Sequence, residues 1–535
     1  MGNPGILRSS FGVSLATLLS RVLGLVRVMF EARVLGGGSV ASAWFLAFAI
    51  PNLFRRLLGE GALGTALIPV VSQIERDHGS EQVRRDLAVV FSALSLVLAA
   101  VVIVVSGAAW LLRRLFEPGG ALAEQFPVLG SERIQLALWL LPLLMPYAFF
   151  ICLIGVVGAV LNTRRVFVLP ALGALLLNLF LIGGLAAAFL RGVEPAHLPE
   201  FLPVLAVLVL LSGMIQLLLM LFLLHRQGRF PLLSRKSFRN TGVLKQLWTL
   251  VLPNMLSGAA LQVSFLVDRS LAICLGPQAV PALTNVDRLV DLPIGIFAIA
   301  LSSVLMVNMS HSAARGDQTE IAESLIFSLR HVYFICIPMA ALMVGFWEPM
   351  IRLLCLGGNY TESDLEATRF VAIFYGAGIP AFCAIKMLLP VFYARRKMLI
   401  PLYSSLTAIV VNLVLNLILM WHLRQGGIAL ATVLSSMLNN FILYRCLRRE
   451  GFDLRPGVLG RTFLRSLVLA AATAGVLHLL YPCWRTALTF RGVGELPAFL
   501  LLLLLFGGLY LGGSLLCRAP EVRELFSLLR RRRAA

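Results

Sequence analysis

The sequence has little charge for its length. Only 13% of its 535 residues are charged, whereas 59% are hydrophobic, and the mean hydropathy is +0.89. A chain of this composition has too few polar residues to cover a water-exposed surface, which excludes an ordinary soluble globular protein. The composition predicts an all-helical protein that crosses a membrane many times.

Acidic residues and lysine are scarce. The chain has 26 acidic and 46 basic residues, which gives a net charge of +20, and all but four of the basic residues are arginine. The basic residues lie in short clusters between apolar runs and form no single basic face, which argues against a nucleic-acid partner. We expect these clusters to contact anionic lipid headgroups.

Motifs for disulfides, metal centres and nucleotide hydrolysis are missing from the sequence. The eight cysteines are scattered and show no CxxC or Cys/His spacing, so we expect no disulfide framework and no metal site of that kind. No GxxxxGK[ST] motif occurs, and no connecting loop has room for a nucleotide-hydrolysing domain. Transport would therefore draw its energy from an ion gradient, from the membrane potential or from the substrate.

The sequence does contain a series of long apolar windows. About fourteen of them are long enough to span a bilayer as helices. They lie at about 10–35, 41–74, 87–112, 133–161, 166–190, 201–225, 247–275, 281–311, 323–347, 368–393, 399–422, 427–446, 463–482 and 496–517. The loops on one side carry most of the arginines, and the positive-inside rule then predicts that both termini are cytoplasmic.

Two pairs of similar segments indicate an internal duplication. NTRRVFVLP at 162–170 matches YARRKMLIP at 393–401, and RRLLGEG from Arg55 matches DRLVDLP from Asp287 at nearly the same offset. We therefore expect two parallel six-helix lobes around a central cavity, an architecture suited to alternating access. The predicted segments are an N-terminal lobe at 1–226, a cytoplasmic linker at 227–246, a C-terminal lobe at 247–450, two added helices at 451–518 and a basic tail at 519–535.

The first two windows contain charged residues that lipid tolerates poorly. They place four arginines and one glutamate inside apolar helices: Arg21, Arg27, Arg55, Arg56 and Glu60. Each charge at mid-depth costs at least about 2.5 to 3.5 kcal/mol if it faces lipid. We therefore expect these side chains to face a wet cavity or an anion. On an α-helix Arg56 and Glu60 share one face, whereas Arg55 points about 100° away and would be available to a ligand.

The second lobe carries a similar set of charges. Arg288 and Asp291 are three residues apart and can pair, Asp287 lies beside them, and Pro293 is expected to loosen the next turn. Lys386 either reaches toward an interface or contacts a ligand. Two interpretations of all these charges stay open: ion pairs that only fix helix packing, or a site for an anionic, phosphate-bearing substrate that suits the planar guanidinium fork.

Several of these segments resemble those of a known family. SRVLGLVR, GGGSVASAWFLAF, PNLFRRLLGEGA, DRLVDLPIG and NTRRVFVLP are similar to signature segments of the MurJ (MviN) lipid II flippase family. That family belongs to the multidrug/oligosaccharidyl-lipid/polysaccharide (MOP) exporter superfamily. The resemblance covers essentially the whole chain, and the first two windows match most specifically.

The resemblance implies a function and a set of site residues. It implies a monomeric transporter, not an enzyme, which flips the undecaprenyl-diphosphate-linked peptidoglycan precursor outward across the bacterial cytoplasmic membrane. Arg21, Arg27, Arg55 and Arg288 match arginines that face the family's cavity, and Glu60 and Asp287 match their acidic partners. Arg56, Asp291 and Lys386 are expected to support the site. The helices at 451–518 match the pair that shapes a groove for the polyprenyl tail.

A sodium site occurs in some family members, and its positions here are Asp268, Asn412, Asn416 and Thr432. At Asn416 this chain has an amide where those family members have a carboxylate. The four residues still offer oxygen ligands for a hard cation, but interhelical hydrogen bonding explains them equally well. No other cofactor is implied, and coupling to Na⁺ or to the membrane potential stays open.

Two departures from the family pattern concern polar positions. Ser42 replaces the usual aspartate before the Ala-Trp-Phe segment, and Asn285 and Val286 stand where the family favours Tyr-Ala. Two other functions are kept as alternatives: an exporter of the same fold that carries another polyprenyl-diphosphate-linked oligosaccharide or a drug, and a membrane-embedded glycosyltransferase. The arginines argue against a drug cargo, and no loop has the acidic cluster that the enzyme would need.

Overall fold

The computed structural model describes residues 4–163, 166, 168–228, 230, 245, 249, 262–395, 397–490 and 495–524. These residues form helices and no β-strand, apart from an isolated bridge between Gly357 and Tyr360. The helices are α1 (Pro4–Leu35), α2 (Ser39–Phe54), α3 (Leu63–Leu115), α4 (Ala121–Gln125), α5 (Glu132–Thr163), α6 (Val168–Leu190), α7 (Leu198–Arg226), α8 (262–273), α9 (Ala279–Pro293), α10 (Ile299–Ala314), α11 (Gln318–Gly345), α12 (Trp347–Cys355), α13 (Glu362–Ala394), α14 (Leu399–Leu423), α15 (Gln425–Arg449), α16 (Pro456–Phe490) and α17 (Glu495–Leu516). The predicted all-helical class is confirmed.

Membrane-spanning length is reached by many of these helices. Among the described residues, nine helices are long and apolar enough to cross a bilayer, and each predicted window overlaps helical residues. The polytopic architecture is therefore confirmed. The count of about fourteen is not confirmed by these nine and stays a prediction.

The windows at 41–74 and 87–112 predict two separate helices, and in the structure a kink inside α3 separates them. Helix α3 runs through this polar stretch, and only Gly79 leaves the helical conformation, with a φ of 80°. Glycine adopts positive φ without a steric penalty. An ion pair four residues apart, Arg85 with Glu81 at 2.6 Å, supports the helix after the kink. The chain therefore bends at one residue and forms no loop.

Two stretches of the described chain are π-helical, and both follow a proline. They are Arg55–Ala62, which begins four residues after Pro51, and Ile294–Ala298, which begins directly after Pro293. Proline has no N–H to donate to the carbonyl four residues earlier, which weakens the α-helical pattern. Single π-turns inside helices are rare and occur frequently at functional sites. The predicted loosening after Pro293 is confirmed.

The chain divides into two compact units. The first unit is Met1–Pro281 together with Gly357–Thr361, and the second is Ala282–Leu356 together with Glu362–Ala535. This division falls later in the sequence than the predicted linker, so α8 packs in the first unit. The segment boundaries predicted from the sequence, at 226, 246, 450 and 518, stay predictions.

Each unit is built around one central helix. In the first unit α5 packs against α2, α3 and α7, and the rings of Trp44, Phe48 and Tyr147 stack in series with centroids 5.9 and 6.1 Å apart. In the second unit α13 packs against α11 and α15. Fully buried side chains at these contacts supply the van der Waals packing that holds helices together in a bilayer.

The two added helices, α16 and α17, attach to α11 in the second unit. Phe334, Ala470 and Tyr510 form one buried cluster, and the Tyr510 hydroxyl donates to the carbonyl of Phe334 at 2.9 Å. A second cluster joins Phe346 to α16 and α17 residues such as Leu502. The pair is therefore packed onto the unit and is not a separate domain.

A buried ionic cluster fastens the residues after α17. Glu521 has no exposed surface, and its carboxylate accepts from Arg330 at 3.0 Å, from Thr462 at 3.0 Å and from Arg465. Burial raises the pKa of Glu521, but its own backbone N–H and these partners favour the charged form more strongly. The net result is a pKa below the ordinary value of 4.5.

We predict that Glu521→Gln destabilises the protein by about 3 to 5 kcal/mol, because two arginines lose their shared carboxylate in a buried site. The measurement is the free energy of unfolding in detergent at neutral pH. Glu366→Gln is the matched control, because Glu366 pairs with Arg369 on an exposed surface and should change stability by less than about 1 kcal/mol.

The same pair of proteins tests the pKa of Glu521. A carboxylate with a lowered pKa contributes stability above its unfolded value and loses that contribution as the pH falls through its folded value. The stability difference between wild type and Glu521→Gln should therefore persist down to about pH 4.5 and disappear below it. Equal effects of the two substitutions at neutral pH would contradict a buried ionic cluster.

Candidate functional site

Helix α1 carries the first two predicted site residues. Arg21 is half-buried, and the Arg27 side chain is 14% exposed and lies 3.7 Å from the carboxylate of Glu31. Glu31 is only 1% exposed and was missed by the sequence analysis, although the four-residue spacing from Arg27 was a readable signal. A buried carboxylate at this distance partly balances Arg27 and makes no short, saturated ion pair with it.

The second pair of arginines begins the first π-helical stretch. Arg55 is half-buried, and its Nε donates to Oδ1 of Asn52 at 2.8 Å. The expectation that Arg55 stands ready for a ligand without a side-chain partner is therefore wrong. Asn52 lies one turn earlier, at a spacing that the helix brings together. The predicted pair of Arg56 with Glu60 stays a prediction, because the side chain of Glu60 lies outside the described residues.

Arg56 shares an aromatic partner with α8. Its guanidinium carbon lies 5.3 Å from the ring centroid of Phe265, and that of Arg269 lies 4.7 Å from the same centroid. Arg269 and its neighbour Asp268 are both buried. Two cations over one ring concentrate positive charge in the first unit, and the ring stabilises guanidinium groups that have left bulk water.

The predicted residues of the second unit lie on α9 and α13. Asp287, Arg288 and Lys386 are half-buried, whereas Asp291 is exposed. Ser302 donates to the backbone carbonyl of Lys386 at 2.8 Å, which ties α10 to α13. Arg288 and the arginines of α1 and of the first π-helical stretch belong to different compact units, so their predicted convergence stays a prediction.

The residues of the predicted sodium site are only partly brought together. In the second unit Asn416 donates to Oδ1 of Asn412 at 3.1 Å, and Asn412 donates to Oγ1 of Thr432 at 3.3 Å. Thr432 in turn donates to the carbonyl of Ile428 at 3.0 Å. Asp268 lies in the first unit. One of these bonds, from Asn412 to Thr432, joins α14 to α15, and the other two each lie within one helix. The side chain of Asn416 is buried, and the sodium site stays a prediction.

The two polar departures from the family pattern are both deeply buried. Ser42 is 1% exposed and Asn285 is fully buried. Within the described part of the chain, neither the Ser42 hydroxyl nor the Asn285 amide has a hydrogen-bond partner. An unpaired hydroxyl at position 42 is far cheaper to bury than an unpaired carboxylate would be. No contact in the structure explains Asn285.

The fold is that of a class of membrane transporters. A solved structure described as the lipid II flippase MurJ in an inward closed conformation matches with a TM-score of 0.75, over 95% of this chain and 98% of that one, at 22% identity. A multidrug resistance MATE family transporter of the MOP superfamily matches with a TM-score of 0.63, over 83% of this chain and 99% of that one, at 16% identity. Both similarities concern the fold, which is the MOP transporter fold.

The family follows from the sequence comparisons. The family model for the lipid II flippase MurJ matches residues 31–491, and the chain therefore belongs to this family. It is 32% identical, over 83% of both chains, to a probable lipid II flippase MurJ of Vibrio cholerae serotype O1. It is 29% identical, over 95% of this chain and 96% of the other, to the lipid II flippase MurJ of Burkholderia cenocepacia. The predicted resemblance is confirmed, and the family is one of transporters and not of enzymes.

We predict that Asn52→Ala weakens headgroup binding by about two- to twelvefold, because Arg55 loses the hydrogen bond that orients it. Asn52→Gln is the control, because its amide oxygen can accept the same bond without adding a negative charge that competes with the diphosphate for Arg55, and it should retain most of the binding. The measurement is the affinity of each purified variant for lipid II. An Asn52→Ala variant with wild-type affinity would show that this bond does not orient a ligand-binding group.

Proposed function

We propose that this protein flips lipid II, the undecaprenyl-diphosphate-linked peptidoglycan precursor, from the cytoplasmic to the periplasmic leaflet of the bacterial cytoplasmic membrane. The observation that carries the proposal is the family match over residues 31–491, which includes the motif segments of α2 and α9. The half-buried arginines of α1, of the first π-helical stretch and of α9 supply the chemistry.

The cargo explains why these residues are arginines. A diphosphate carries about two negative charges and loses its hydration when it enters hydrocarbon, which is very unfavourable without compensation. Guanidinium groups replace the lost water with charge-assisted hydrogen bonds and match phosphate oxygens with two parallel N–H groups. Arg21, Arg27, Arg55 and Arg288 are the proposed diphosphate ligands, and Arg56 and Lys386 support them.

The acidic residues keep the empty site stable. Arg27 lies 3.7 Å from Glu31, a contact long enough to be exchanged for a phosphate oxygen without breaking a strong bond. Asp287 is proposed to balance Arg288 in the same way, and Glu60 to balance Arg56. Asp291 is exposed on a membrane helix, where a carboxylate is tolerated if the surface it faces is wet.

The two units give the site its proposed motion. If arginines of both units contact one diphosphate, binding stabilises the state in which the units are closest and thereby shifts the equilibrium between inward and outward states. The π-helical stretches after Pro51 and Pro293 are proposed hinges, because their widened turns have weaker hydrogen bonds than regular helix.

The polyprenyl tail is assigned to the surface of α16 and α17. These helices expose leucines along their length while their other face packs on α11. An apolar chain can follow such a surface without crossing a polar region. The protein is proposed to act as a monomer with both termini in the cytoplasm, and its loop arginines to contact anionic lipids.

We predict that Arg27→Ala and Arg288→Ala each reduce flipping by about 10- to 150-fold, because each removes a charge-assisted hydrogen bond to the diphosphate. The measurement is the transfer of lipid II across vesicles that contain the purified protein. Rescue of cells depleted of their own flippase gives an independent readout. Arg191→Ala is the control, because Arg191 is exposed at the end of α6 and should leave flipping unchanged.

Two results would contradict the proposal. One is a wild-type protein that inserts normally into the membrane and neither flips lipid II nor rescues the depleted cells. The other is equal flipping by Arg27→Ala, Arg288→Ala and Arg191→Ala. That result would show that the buried arginines do not bind the diphosphate.

We predict that replacing Na⁺ by K⁺ changes flipping by less than twofold, because the oxygens of Asn412 and Thr432 already accept hydrogen bonds, from Asn416 and Asn412 respectively, and the set has one carboxylate fewer than the family's site. The energy is then proposed to come from the membrane potential. Asn416→Asp supplies the missing carboxylate and should introduce a dependence on Na⁺. A tenfold loss of wild-type activity in K⁺ would contradict this assignment.

A further inference from the structure

The end of α1 is completed by a segment from far along the chain. A helix leaves its last carbonyls without partners inside the helix, and they need donors from elsewhere. The backbone N–H of Asn359 donates to the carbonyl of Arg33 at 2.8 Å, and its side-chain Nδ2 donates to the carbonyl of Val34 at 2.7 Å. The turn Gly357–Thr361, which belongs to the first compact unit, therefore caps α1.

Two glycines allow this close contact. Gly36 has a φ of +75°, and a Cβ atom there would lie within 3.0 Å of the Asn359 carbonyl oxygen. Gly358 has a φ of +60°, and a Cβ atom there would lie even closer to the carbonyl oxygen of Arg33. Both obstacles are backbone atoms and cannot rotate away. The two backbones therefore fit together only with glycine at both positions.

The turn is also held by hydrogen bonds within itself and by an ion pair between the residues that flank it. Gly357 and Tyr360 exchange two backbone hydrogen bonds of 3.2 Å, and Tyr360 is almost fully buried. Arg352 and Glu362, which flank the turn in the second unit, form two parallel hydrogen bonds of 2.6 and 2.9 Å. Such a bidentate pair has a defined geometry and holds the base of the turn closed.

We propose that Gly357–Thr361 is a strap that fastens the end of α1 in this state and is released in another state of the transport cycle. The proposal rests on the proposed function. Helix α1 carries Arg21 and Arg27, and the strap fixes the end of that helix. The chain on both sides of the strap, at Leu356 and Glu362, belongs to the second unit.

The contact has the strength that a reversible strap needs. It includes two hydrogen bonds from one residue, and each typically shifts an equilibrium by about two- to twelvefold. The ion pair between Arg352 and Glu362, at the base of the turn, lies outside this contact and would stay intact when the strap is released. Asn359 is therefore a positioning residue for α1 and not a ligand of the cargo.

The test compares two glycine variants with nearly identical backbone angles. Gly192 has a φ of +61° and no atom within 4 Å of the Cβ position, whereas Gly358 has a φ of +60° and meets the backbone of Arg33. Gly358→Ala and Gly192→Ala therefore share the strain of an alanine at positive φ, and only Gly358→Ala displaces the strap. Hydrogen exchange at the Asn359 amide is measured in the full-length protein in vesicles.

We expect Gly358→Ala to accelerate exchange at Asn359 at least tenfold and Gly192→Ala to leave it unchanged. In the wild type, lipid II should change this exchange rate at least twofold, because the cycle visits the released state. Equal rates in the two variants would overturn the strap. If lipid II raises the Tm of the wild type but leaves the exchange rate at Asn359 unchanged, the proposed release of the strap is overturned.

The outcome is separable from that of the proposed function. A wild-type protein whose Tm does not respond to lipid II would contradict the proposed function. The strap would still be tested by hydrogen exchange at Asn359 in Gly358→Ala and Gly192→Ala, because that comparison needs no ligand.

Discussion

The organisation of this protein depends on the cost of placing guanidinium groups inside apolar helices. Arg27, Arg55 and Arg56 are embedded in segments that otherwise favour hydrocarbon, and each is held by a specific neighbour: a buried carboxylate, an asparagine side chain or an aromatic ring. These contacts stabilise the charges and leave their fork-like geometry suited to phosphate. A chain that needed only apolar packing would not require these residues, and the proposed diphosphate cargo gives them a role.

The backbone is adapted at the same places. In each unit a proline is followed by a π-helical stretch, and the first of these stretches contains the arginines of the motif that the duplication repeats. The second begins directly after the DRLVDLP segment. The wider turn moves side chains away from the regular α-helical positions and weakens the local hydrogen bonds. The two irregularities therefore lie near the repeated motif but not at equivalent positions of it, since the first covers the motif and the second begins at its end.

Local signals in the sequence predicted the helices well, because apolar length and proline placement act over a few residues. The separation of the second and third windows is present as a kink at Gly79, and an ion pair between Arg85 and Glu81 supports the helix that follows it. Sequence spacing missed Asn52 as the partner of Arg55. The cap of α1 by Asn359 was beyond prediction, because the contacting residues are hundreds of positions apart and two unrelated glycines make it possible.

We propose that the arginines of the membrane-spanning segments face water in the empty protein and face the diphosphate when lipid II is bound. The most direct measurement is thiol labelling by a membrane-impermeant reagent after single cysteine replacement, in a background without the exposed native cysteines. The positions are Arg21, Arg27, Arg55 and Arg288. The account predicts labelling at each position and protection by lipid II. Positions that stay unlabelled in folded protein, or labelling that lipid II leaves unchanged, would contradict it.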